Sequence, residues 1–250
     1  MFAKTRTIIV VVLAALLIAT LFGATHTQAQ SGDPTFGTPT ISVDRTIYSF
    51  EPIDAMQVFP QGVQHLVGLV SVSGLPDGSS VDSQWYADGA AQGDKTSTKT
   101  DAKTDILSSR WTDPAGLAAG NWEIRFSYKG TVVAKATAKI KAGAFVYPIH
   151  FGDDCGYYSY DLVNQRTAFD AKPLNIAANI RYTNLPKDSK LEIQWFLEGT
   201  DIFETSDTFT GTSSTCAYIN KTGGLSSGNY EIKIILNSQV LRSDQFTVGS

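Results

Sequence analysis

Cysteine, histidine and methionine are scarce: the 250 residues hold two cysteines, three histidines and two methionines. His26 lies in the N-terminal apolar region, which leaves His65 and His150 for the body of the chain. This set gives little support to a zinc site, and neither a glycine-rich phosphate loop nor an Asp-x-Asp-x-Asp-Gly calcium loop is present. No metal and no cofactor is expected. Clusters of Lys and Arg are missing too. The formal net charge is −4, and it becomes −6 without residues 1–29, which carry Lys4 and Arg6 and no acidic residue. With no basic patch to displace counterions from phosphates, nucleic acid is excluded as a partner, and anionic membrane surfaces are disfavoured for the same reason. Helical periodicity is also lacking: beyond the N-terminal segment no stretch longer than about eight residues shows it. The mature chain should be almost entirely β.

The single long apolar run stands at the N-terminus. Lys4 and Arg6 precede an apolar stretch from Ile8 to Phe22, interrupted only by Thr20, and small residues follow at Thr27 and Ala29. A charged head, an apolar core of about 15 residues and a small-residue exit form a secretory signal pattern, with cleavage expected after Ala29. The alternative is a membrane anchor at residues 8–22, which falls short of the ~20 residues that span a bilayer. The remainder is expected to be secreted, extracellular or periplasmic. In an oxidising compartment the even pair Cys155 and Cys216 should form a disulfide.

What the chain does contain is a phrase written twice. Gly116-Leu117-Ala118-Ala119-Gly120-Asn121-Trp122-Glu123-Ile124 recurs as Gly224-Leu225-Ser226-Ser227-Gly228-Asn229-Tyr230-Glu231-Ile232. Each copy is a glycine turn feeding an alternating strand, so the chain divides into tandem units. The expected organisation is a signal peptide at 1–29, a flexible leader at 30–37 and β-sandwiches at 38–142 and 143–250. Period-two alternation turns Leu174, Ile176, Ala178, Ile180 and Tyr182 inward, and alignment carries this onto Leu66, Gly68, Val70 and Val72. Val67 and Leu69 then face outward with His65 and form a candidate binding patch. Trp85 and Trp195 should be core anchors facing Trp122 and Tyr230. Tyr86 and Phe196 share one outward position, a second candidate surface. The units diverge most between Ala90–Asp113 and Thr200–Thr222, and the first of these reads as a solvated edge strand or loop.

Short strands, a tryptophan on the third, and Leu-x-x-Gly-x-aromatic opening the penultimate strand resemble an immunoglobulin-like sandwich in both units. The ending Gly224-Leu225, Gly228, Tyr230 and Phe246-Thr247-Val248 is similar to that of Ig-like modules in bacterial extracellular and envelope proteins. The first unit departs from it, with Trp122 in place of Tyr and Ala138-Lys139-Ile140 at its end. The resemblance implies an all-β fold of two tandem immunoglobulin-like β-sandwich domains and a spacer, adhesive or accessory role, among which fold does not choose.

A hydrolytic centre needs a nucleophile, a base and an orienting group in reach of one another. Only His150-Phe151-Gly152-Asp153-Asp154-Cys155 gathers a base, carboxylates and a thiol, and a disulfide at Cys155 removes the nucleophile. No catalytic residue is assigned. Asp153, Asp154 and Asp161 offer oxygen ligands at no calcium-loop spacing. Tyr157, Tyr158 and Tyr160 are the densest aromatic group and candidate binding residues for a glycan or a protein. The expected function is that of a non-catalytic secreted or cell-surface binding or spacer protein with a protein or glycan partner. The alternative is a carbohydrate-binding module or accessory subunit of a secreted hydrolase, using His150–Tyr160. Membrane contact is expected only if the N-terminal segment stays uncleaved.

Overall fold

The computed structural model describes residues 33–101, 103–156 and 161–249. The expected signal peptide and the candidate residues Tyr157, Tyr158 and Tyr160 lie outside them.

Eight main strands build the first unit: β1 (Thr40–Ser42), β2 (Val58–Pro60), β3 (His65–Ser73), β4 (Ser80–Ala87), β5 (Ala90–Lys99), β6 (Ile106–Thr112), β7 (Gly120–Tyr128) and β8 (Thr131–Lys141). In one sheet β3 lies between β1 and β6, and in the other the order is β2-β8-β7-β4-β5. Every one of these pairs is antiparallel except β2 with β8. Pro60 closes β2 at the sheet edge, where a missing N–H is tolerated. Leu66, Val70 and Val72 of β3 meet Trp85, Ile124 and Phe126 of the facing sheet in one apolar cluster.

Three expectations need correction. Val67 and Leu69 are 1% and 5% exposed, so they present no binding surface. Asp44, just beyond β1, and Arg110 of β6 flank β3 on opposite sides, and their ion pair bridges the outer face over Val67, the cross-strand partner of Arg110. The leader is in part a strand. Thr35–Phe36 pairs with Val72–Ser73, and Phe36 packs on the core with its ring 6.3 Å from that of Tyr128, because burying the ring outweighs the freedom of a chain end. Leu174 is 66% exposed, since the ladder begins one residue later at Asn175.

The second unit contains β9 (His150–Gly152), β10 (Asn175–Leu197), β11 (Thr200–Asn220), β12 (Gly228–Leu236) and β13 (Gln239–Val248). Here β10 serves both sheets. Its first half pairs with Phe145–Val146 and β9, its second half with β12, and β11 follows it along the other side throughout. The sheet continues from β12 to β13, which takes Ala168–Phe169 as a parallel neighbour. The bend in β10 falls at Asn184 and Asp188, with φ of 57° and 54°. The first unit turns the same corner at Gly74 and Gly78, with φ of 75° and 72°, and breaks into β3 and β4 there. Left-handed backbone favours Gly and tolerates Asn and Asp, so one corner is written in two sets of residues.

The repeated phrase has a mechanical content. A Cβ on Gly116 would come within 2.7 Å of the Gly62 backbone, and one on Gly224 within 2.6 Å of the Lys172 carbonyl oxygen. These turns therefore need glycine twice over, for φ above 80° and for space. Asn121 donates its N–H and Nδ2 to Asp88, and Asn229 donates the same two groups to Glu198. Tyr230 Oη donates to the Ser226 carbonyl at 2.8 Å, the tie of an immunoglobulin tyrosine corner, and Trp122 Nε1 reaches Ala118 O at 3.4 Å in its place. Strand order, two packed sheets and this corner make both units immunoglobulin-like sandwiches.

Candidate functional site

His150 begins β9, and its ring is tied on both nitrogens. Nε2 lies 3.0 Å from Asp54 Oδ1, and Gln165 Nε2 lies 3.1 Å from Nδ1. A carboxylate only accepts, so Nε2 is the donor to Asp54. Asp54 belongs to the first unit, directly after Pro52–Ile53, and its carboxylate is buried against the second, where Arg181 also binds it. Burial pushes the Asp54 carboxyl up, but the hydrogen bonds and charges of His150 and Arg181 outweigh it and hold the group below 3.8. Asn184 Nδ2 adds a second tie, donating to Gln61 O at 2.8 Å. His150 thus joins the sandwiches across the short link at Ala142-Gly143 instead of standing free as a base.

The rest of this segment is equally engaged. Cys155 is bonded to Cys216, with Cα atoms 6.6 Å apart, and carries no thiol. Asp153 accepts from Arg166 and from Asn164, and Asp154 accepts from the Tyr218 hydroxyl at 3.1 Å. Burial and the adjacent Asp154 raise the Tyr218 phenol above its ordinary value, so it remains a donor. Among the described residues no three His, Cys, Asp or Glu side chains converge as metal ligands.

Tyr86 and Phe196 do share one environment. Arg125 sits 4.0 Å over the Tyr86 ring and Lys233 sits 4.0 Å over that of Phe196, with Glu123 and Glu231 holding the cations. One face of each ring is therefore covered by its own sheet, which weakens the expectation of a stacking platform.

One groove with exposed aromatics was not legible in the sequence. At one end of the second sandwich Leu197, Ile202, Phe203, Tyr218 and Leu225 line a groove of about 300 Å³, with Asn220 and Lys221 at its polar side. Ile202, Phe203 and Tyr218 are 42%, 46% and 37% exposed. The signal was faint: Phe203 is the cross-strand partner of Trp195, whereas Trp85 faces Gln92. The residues lie in the region where the copies diverge, so no alignment pointed to them.

No family model matches the chain, and no curated protein matches it. Among solved structures it is similar to an immunoglobulin-like protein from Pseudomonas aeruginosa, at 15% identity over 43% of this chain and 98% of that one, with a TM-score of 0.32. It is also similar to a chimeric titin Z1Z2-Z1Z2 tandem functionalised with a GRGDS peptide from fibronectin, at 14% identity over 86% and 98%, with a TM-score of 0.24. A third is the native conformation of E. coli alpha-2-macroglobulin, at 12% identity over 85% of this chain and 16% of that one, with a TM-score of 0.34. The immunoglobulin-like assignment itself rests on the strand order and corner of this chain.

Proposed function

We propose that the protein is a non-catalytic binding module of the exported kind, which takes a glycan or a protein segment in the groove at the end of its second sandwich. The groove carries this reading. Two exposed aromatics, Phe203 and Tyr218, stand beside Asn220 and Lys221 in a concave site, the combination by which apolar contact and a few polar groups recognise a ligand. The Cys155–Cys216 bond supports export, because such bonds persist in oxidising compartments. It also ties Cys155, which Tyr157, Tyr158 and Tyr160 follow in sequence, to a residue two positions before Tyr218. The carbohydrate-binding or hydrolase-accessory role is the version of this reading with a glycan ligand.

Retention on a panel of polysaccharides and on immobilised surface proteins tests it. Phe203→Ala and Tyr218→Ala should each weaken retention by about tenfold or more while leaving the far-UV spectrum unchanged. Retention that ignores both substitutions, or retention on nothing in either panel, counts against the groove.

A further inference from the structure

An unpaired sheet edge is a template for another strand, and proteins normally blunt it with lysines, prolines or short length. β11 has none of these. It runs for 21 residues without Lys, Arg or Pro, and among the described residues no strand pairs with its outer side. Its first half carries Asp201, Glu204 and Asp207, all exposed. β5 holds the matching place in the first sandwich, likewise outermost, and carries Lys95 and Lys99 with a single carboxylate, Asp94. Lys95 is paired with Asp82, while Lys99 makes no ion pair among the described residues.

The signs on these two edges choose between pairings. Joining the first half of β11 to its own copy sets carboxylates against carboxylates, and joining the lysine-bearing end of β5 to its own copy sets lysines against lysines. Among pairings that use the charged half of β11, β5 against β11 is the complementary one. We infer that β11 of one copy adds to β5 of a second copy, fusing the two sheets head to tail. Ser97 lies on the same outer face as Asp82, its partner on β4, and Glu204 on that of Gln194, so these two can stand opposite each other in an antiparallel pairing. Both lysines then lie diagonal to Glu204, within reach of long side chains. The contact is heterologous, since each copy offers one edge of each kind, so it either closes as a pair using both or continues as a row. In this register Phe203 stands opposite Thr98 and Tyr218 lies outside the pairing. The edge variants below leave both groove aromatics in place, so loss of association and loss of ligand retention are read separately.

Sedimentation of the purified protein over a concentration series, at low and at high salt, tests the pairing with two edge variants. One is Lys95→Gln with Lys99→Glu, where glutamine can still donate to Asp82. The other is Asp201→Lys with Glu204→Lys. The wild type should associate and do so less at high salt, and each variant alone should associate about tenfold more weakly or worse. An equimolar mixture of the variants restores opposite signs on both contacts and should re-associate. A wild type that stays monomeric up to about 1 mM, association indifferent to either variant, or a mixture that remains monomeric overturns the inference. So does a monomer whose β11 amides gain exchange protection only when a lysine-rich extended peptide is added, because the occupant is then a foreign strand.

Discussion

Trp85 and Trp195 occupy the same place in their sandwiches and differ in the fate of one hydrogen. Trp85 Nε1 donates to Ser109 Oγ at 3.1 Å, and Ser83 Oγ donates to the same oxygen. Trp195 Nε1 is buried with no partner among the described residues. Ser109 is paired with Gly68, and the residue paired with Ala178, at the matching position of β10, is Ala217. Ala217→Ser should therefore give the orphaned indole an acceptor and stabilise by about 0.5–1.5 kcal/mol. Ser109→Ala should strand Trp85 Nε1 and cost about 1–3 kcal/mol. Denaturant midpoints of the single variants, followed by tryptophan fluorescence, check both. That both tryptophans are buried was legible from alternation in their own strands. Whether each finds a partner depends on a strand far along the chain in the divergent region, where single-sequence alignment has no purchase.

At the scale of elements, the legible part is the part repeated without a gap. The glycine turn, the strand after it and the closing hairpin have the same register in both units, and their side-chain contacts follow from it. Gly224→Ala should cost about 1–3 kcal/mol or more, because the added Cβ meets the Lys172 backbone at a φ of 92°. Asp188→Gly at the β10 bend should stay within about 0.5 kcal/mol, since the left-handed backbone there suits glycine. Thermal scans of the two variants distinguish a required glycine from an interchangeable one. What alternation missed came from other elements. It placed Val67 on an outer face but had no means of seeing that Arg110 and Asp44, from strands on either side, would meet over it. The two-residue strand at Thr35–Phe36 is too short to have any period at all. The groove at Phe203 and Tyr218 depends on β11 returning on itself to the same end of the sandwich, which is a property of topology.

For the whole molecule, the junction at Asp54 decides how the two sandwiches are held. Its folded-state carboxyl is held below 3.8, so the stabilisation is complete above that value and disappears as pH falls through the lower folded one. Acidification through that lowered value should therefore release the junction, and Asp54→Asn should loosen it already at pH 7. Small-angle scattering reads this as a larger radius of gyration at acid pH, with the Asp54→Asn variant showing the increase at neutral pH. An unchanged profile in both experiments would mean that the Asn184–Gln61 tie and the short link suffice alone.

Reduction acts on the second sandwich alone. The bond between Cys155 and Cys216 closes a separation of 61 residues, worth about 4 kcal/mol in the chain-entropy account. It also has a consequence under tension. If the second sandwich is pulled open from its ends, the load passes from Cys155 straight to Cys216, and roughly 200 Å of contour between them stays slack. Stretched in its oxidised form the protein meets a short stop, and a reductant lengthens it without cutting it.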